Sequence, residues 1–260
     1  MNNCFPIAGV VIKELYRRKD FYVLFILTVL ITLLFGSVNF FNDDRIARYL
    51  KDVCLLLIWI ASLVIAVTTT ARQIPAERES RTIFPLLAKP VGRGELIAGK
   101  FLGCWAATGL ALIVFYFFFG MISASREHSL HWTLYFQAIW LHWICLGIVV
   151  AMVLLGSIVF AAPSSNATIC LIIIIGIMFA GGHLNGIAIG MRGIRGEIVY
   201  AIYYIIPHLE WYDDMRDLVV HDWGSIDWLI WAGATIYGLL YAAFLLCVTW
   251  LVFRRKALAL

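Results

Sequence analysis

The sequence predicts an all-α, polytopic membrane protein. Of its residues 63% are hydrophobic and only 14% charged, against roughly 45–50% apolar and 25% charged in soluble domains. The charges gather between long apolar runs, and those runs are about 20 residues long, the length that crosses a bilayer core at 1.5 Å per residue. A soluble domain of 260 residues needs polar faces to cover its core, and this chain has too few. A single membrane domain over residues 1–260 is expected.

The elements follow in chain order. On a helical wheel Phe5, Ala8, Val11, Ile12, Leu15 and Tyr16 share one face opposite Lys13, Glu14, Arg17 and Arg18, so residues 1–20 read as an amphipathic helix lying along a membrane surface. The first span is expected from Phe21 to Phe41, between Asp20 and Asp43, and the second from Val53 to Ala71, between Asp52 and Arg72. A charged loop over 72–100 follows, in which Glu77 and Arg81 stand at helical i,i+4 spacing before Pro85 and Pro90. The third span is expected from Phe101 to Ser125. Between Glu127 and Arg192 no Asp, Glu, Lys or Arg occurs, too long a run for one span, and the turn chemistry of Pro163-Ser164-Ser165-Asn166 divides it into spans at Leu134 to Ala162 and Ala167 to Ile189. A loop over 190–227, rich in Tyr and Trp as membrane interfaces are, reads as short helices on the outer leaflet, broken at Pro207. The sixth span runs from Trp228 to Phe253 and is closed by Arg254-Arg255-Lys256.

Orientation comes from the 20 Lys and Arg residues. The side holding the N-terminus, the 72–100 loop and the C-terminus carries the majority of them, and is expected to be cytoplasmic. The net charge of +4 is thereby a topology signal, with no basic stripe or reader motif for nucleic acid. The six cysteines are scattered singly, without a C-x-x-C pair, so neither a zinc site nor a disulfide framework is indicated. No signal-peptide core precedes Phe21.

Chemistry is sparse. The expected spans hold no Asp, Glu, Lys or Arg, where ion-driven transporters carry such groups; His142 and His183 read as hydrogen-bonded packing residues before they read as a proton relay. His128 and His131 lack further ligands for a metal and read as interfacial. Asp213-Asp214-Met215-Arg216-Asp217 has the D-D-x-x-D form that holds diphosphate through magnesium, with carboxylates of Asp213 and Asp217 on one helix face. A partner acidic cluster is missing, and a solvated acidic face is the simpler reading. No P-loop, H-E-x-x-H or G-x-S-x-G occurs, so the chain cannot use ATP through a P-loop of its own. Gly182, Gly186 and Gly190, four residues apart, allow close approach of another backbone, either a second copy or another span of the same chain.

The run from Glu77-Arg78-Glu79-Ser80-Arg81-Thr82 through Leu86-Leu87-Ala88-Lys89-Pro90-Val91-Gly92-Arg93 to Gly99-Lys100 resembles the loop between the second and third spans of ABC-2 type ABC transporter permeases. Ile206-Pro207-His208-Leu209-Glu210 in the outer loop fits the same family. The resemblance implies a permease subunit that binds no cofactor itself and works with a second permease, copy or paralogue, and two cytoplasmic ATPase subunits that carry ATP and Mg. It implies transport, usually export, across the plasma membrane, the inner membrane in a bacterium. Glu77, Arg78, Glu79, Ser80, Arg81, Thr82, Leu86 and Leu87 would then form a helix seated on the ATPase, with Pro90 and Arg93 shaping its return and Gly99 and Lys100 starting the third span. Because the family places its first and fifth spans near the dimer interface, the glycine repeat would face a second permease. Two other classes compete: a lipid-modifying membrane enzyme using Asp213 and Asp217, and a non-transporting scaffold.

Overall fold

A computed structural model describes residues 4–16, 22, 26, 29, 30, 44–79, 92–127, 132–190, 193–221 and 223–255. Among them the regular elements are helices: α1 (Cys4–Tyr16), α2 (Asp44–Ala71), α3 (Pro75–Glu79), α4 (Arg93–Glu127), α5 (Trp132–Val159), α6 (Pro163–Gly190), α7 (Ile194–Ile205), α8 (Glu210–His221) and α9 (Trp228–Arg255). Among the described residues five stretches are long and apolar enough to cross a membrane: Lys51–Glu77, Arg93–Met121, Trp132–Val159, Pro163–Leu184 and Trp228–Arg255. The first expected span, Phe21 to Phe41, lies outside the described residues apart from Tyr22, Ile26, Val29 and Leu30.

Helix α5 is the centre. It is apolar all round, as a helix enclosed on every side must be, and it packs against α2, α4, α6, α8 and α9. A chain of polar contacts crosses this core. Ser62 of α2 donates to the Trp59 carbonyl at 3.0 Å, so its oxygen accepts from His142 Nε2, also 3.0 Å away; His142 Nδ1 then accepts from the Tyr116 hydroxyl of α4 at 3.3 Å. A neutral imidazole stacked on Trp59 thus links three helices. His183, grouped with it from sequence, is exposed instead.

Helix α1 docks on α4 through glycines. A Cβ at Gly99 would come within 2.8 Å of Ile7, and one at Gly103 within 2.7 Å of Val11, so only glycine admits α1 this closely. Ala8 and Val11 are buried as the wheel predicts, whereas Phe5, placed on the same face, is exposed.

Two boundaries differ from the sequence reading. Helix α4 starts at Arg93, so Gly99 and Lys100 lie about two turns inside it instead of opening the span; the charge that seemed to end the loop is neutralised in place, as described below. Pro163-Ser164-Ser165-Asn166 forms the first turn of α6, with proline at the position where a missing N–H costs nothing. Buried Asn166 donates to the carbonyls of Val153 and Ala71, joining α5, α2 and α6.

The segment between the last two long helices is a re-entrant hairpin. Gly193, at φ 84°, reverses the chain so that α7 runs back along α6. The Tyr241 hydroxyl donates to the Ile205 carbonyl at 2.6 Å, and Tyr241 stands at the middle of α9, about 20 Å from Trp228 by helical rise. Pro207 breaks the chain there, and α8 climbs back between α2, α5 and α6. Both helices are present where expected; α7 lies along α6 with most of its residues exposed, and α8 packs among α2, α5 and α6.

Candidate functional site

At the basic end of the bundle two contacts frame the charged loop. On one border, Lys100 of α4 is only 2% exposed, and its ammonium donates to the Gln73 carbonyl (3.1 Å), Gln73 Oε1 (3.3 Å) and Glu77 Oε1 (2.7 Å). Three acceptors for three donors is the full complement of an ammonium, and this is what lets a lysine sit inside an apolar helix. Glu77 belongs to α3, so α2's exit, α3 and α4 meet at this nitrogen. On the other border, Arg93 Nη1 donates to the carbonyls of Phe253 and Arg254 at 3.0 and 3.1 Å, and its guanidinium lies 5.6 Å from the Phe253 ring centre. These are the orphan carbonyls at the end of α9, so Arg93 caps the last helix while it begins α4. Glu95 accepts the Gly92 amide at 3.3 Å, half of a capping box that fixes where α4 begins. Trp250 of α9 packs on Gly94 and under Arg254.

Deep in the bundle the hairpin tip forms a second charged cluster. His208 Nδ1 lies 3.3 Å from Glu210 Oε1, and the imidazole is surrounded by Tyr203 of α7, Trp211 of α8 and Tyr237 of α9, with ring centres 4.3, 4.6 and 5.9 Å away. The Glu210 carboxylate lies so close to Gly181 of α6 that any Cβ there would collide with it. Irregular backbone at this depth has to find partners within the protein: the His208 amide donates to Tyr237 Oη at 3.1 Å and the Ile205 carbonyl accepts from Tyr241. Tyr212 Oη donates to the Ala234 carbonyl at 2.8 Å, in the space left by Gly238.

The residues singled out from sequence divide as follows. Glu77, Lys100 and Arg93 are joined to the bundle by the contacts above, and Gly99 receives α1. Arg78 and Glu79 lie on α3, while Ser80, Arg81, Thr82, Leu86, Leu87 and Pro90 fall outside the described residues. Gly182, Gly186 and Gly190 meet nothing described within 4 Å, so within the described residues no other span of the chain fills the stripe. It continues into exposed Phe179 and Ile175. In the D-D-x-x-D run, Arg216 lies 3.6 Å from Asp213 and 3.3 Å from Asp52 of α2, a clasp between helices where a magnesium site was the competing reading, and Asp214 is exposed. Among the described residues no three acidic, His or Cys side chains converge as metal ligands do.

Gln73, Gly181, Tyr237 and Tyr241 were not singled out from sequence. Two tyrosines one helical turn apart inside an apolar span are a readable sign that a polar backbone lies opposite; Gly181 carries no such mark.

No curated protein matches the chain. The family described as ABC-2 family transporter protein matches it over residues 10–258, nearly its whole length and including both the charged loop and the hairpin. The chain therefore belongs to the ABC-2 transporter family, as a multi-pass permease subunit of an ABC transporter.

Proposed function

We propose that this permease is one half of an exporter whose energy comes from two cytoplasmic P-loop ATPase subunits carrying ATP and Mg, and that it pairs with a second permease, copy or paralogue. The chain itself binds no cofactor or nucleic acid and does no chemistry of its own. The basic end then faces the cytoplasm with both termini, in the plasma membrane, which in a bacterium is the inner membrane. The whole of 1–260 acts as one transmembrane domain. Glu77 to Leu87 form the helix that seats on the ATPase, and Pro90 and Arg93 shape its return.

The observation that carries this reading is the way the segment between Glu77 and Arg93 is fastened. Glu77 is held by Lys100, whose ammonium also binds Gln73, on one border, and Arg93 by α9 on the other. A load applied to the segment from outside reaches α2, α4 and α9 together, as a lever requires, and an ATPase is the outside source that a chain without a P-loop needs. The stripe of Ile175, Phe179, Gly182, Gly186 and Gly190, whose glycines meet no described residue within 4 Å, supports the second permease. The proposed cargo is lipid-like or otherwise hydrophobic.

Gentle purification of the tagged chain from its native membrane tests the reading. A P-loop ATPase is expected to accompany it, with vanadate-sensitive activity. Charge reversal at Arg78 or Arg81 should leave membrane insertion intact and abolish stimulated ATP hydrolysis and transport. Normal transport in those variants overturns the assigned lever.

A further inference from the structure

Helix α9 is bonded at both ends of its inner half. At its C-terminus Phe253 and Arg254 give their carbonyls to Arg93, the residue that ends the charged loop. At its middle Tyr241 and Tyr237 bond the backbone of the hairpin tip at Ile205 and His208. The two sets are 12 residues apart, about 18 Å of helix, with no proline between them to absorb a displacement. The tip is also a part that docks in a discrete place: the Glu210 carboxylate lies on Gly181 with no space for a methyl group, and His208 is packed among rings from three helices. A contact of this kind is made or lost as a unit, because packed interiors are not continuously deformable.

We infer that α9 is the rod that carries movement of the loop to the hairpin, with Arg93 as the positioning residue at the ATPase end and Tyr241 at the tip. The inference rests on the permease–ATPase reading and adds to it the route by which nucleotide reaches the far half of the membrane. Arg93 is suited to the task because its Nη1 donates to two successive carbonyls while the guanidinium plane covers the Phe253 ring; the ammonium of a lysine has no such plane to lay on the ring. Tyr241 is suited because its phenol holds a carbonyl that has no helical partner.

The experiment is hydrogen–deuterium exchange of the segment Tyr203 to Tyr212 in the purified complex in lipid nanodiscs, nucleotide-free and with ATP plus vanadate. The unmodified complex is expected to show exchange rates at the tip that differ by about fivefold or more between the two states, the lower end of ordinary allosteric couplings. Tyr241→Phe should keep the ATPase bound and lose that difference, and Arg93→Lys should lose it as well, although Arg93 lies far from the segment measured. Trp105→Phe, which weakens the packing of α4 on α5, is the control for a merely structural effect and should lower stability with the difference retained. If the ATPase is bound and active but the tip exchanges alike in both states, or if Tyr241→Phe and Arg93→Lys keep the full difference, the inference falls and the permease–ATPase reading stands. If no ATPase accompanies the unmodified chain, both fall.

Discussion

Trp105 of α4 and Trp143 of α5 exchange hydrogen bonds. Each indole N–H donates to the other residue's backbone carbonyl, at 2.8 and 3.0 Å, and the rings stack with centres 4.5 Å apart. The glycines Gly109 and Gly147 give each ring its place against the facing helix. Replacing either tryptophan by phenylalanine keeps a ring and removes one donor, at an expected cost of about 1 kcal/mol each. The double substitution should depart from additivity by about 0.5 kcal/mol or more, since each ring positions the other. Unfolding of the four proteins in mixed micelles measures it.

Lys100 offers a sharper test. Lys100→Met leaves the Glu77 carboxylate and the Gln73 oxygens without their cation in a nearly closed space, and should destabilise the fold by about 3–5 kcal/mol. Adding Glu77→Leu removes the stranded charge and should recover a large part of that loss. The comparison of thermal midpoints distinguishes a paired charge from a lysine that merely packs.

Two adjacent glycines should respond in opposite ways. Gly181→Ala forces the Glu210 carboxylate out of place and should lower the stability of the isolated chain. Gly182→Ala meets no described residue within 4 Å and should leave that stability unchanged; if a second permease sits on the stripe, it should reduce the dimer fraction in light scattering. A stable Gly181→Ala protein with an unaltered hairpin would count against the docking described for Glu210.

The clasp at Arg216 separates transporter from enzyme. Because Asp213 is held by a guanidinium that also reaches Asp52, chelator or added magnesium should leave the thermal midpoint unmoved. Asp213→Asn should cost about 1 kcal/mol or less, as partly exposed ion pairs do, with no magnesium-dependent activity to lose.

Much of this architecture was legible because apolar length and charged borders are local properties. The boundaries of α5 and α9 fall close to the expected ones for that reason. Charged positions misled where a partner distant in sequence neutralised them: Lys100 marked the start of a span on composition, yet Glu77 and Gln73, 23 and 27 residues away, place it inside one. Arg93 was legible as part of the loop motif but not as the cap of α9, since its acceptors lie 160 and 161 positions on. Pro207 announced a break without telling its depth, because depth is set by which residues of α9 receive it.

The hairpin has a consequence for synthesis. Each arm has 12 residues, too few to cross a bilayer, and the tip carries a histidine, a glutamate and unpaired backbone that hydrocarbon rejects. The groups that satisfy this tip, Ala234, Tyr237 and Tyr241, are made after it. During translation the hairpin therefore has to wait at the membrane surface, and it docks in the bundle only once α9 has left the ribosome and inserted.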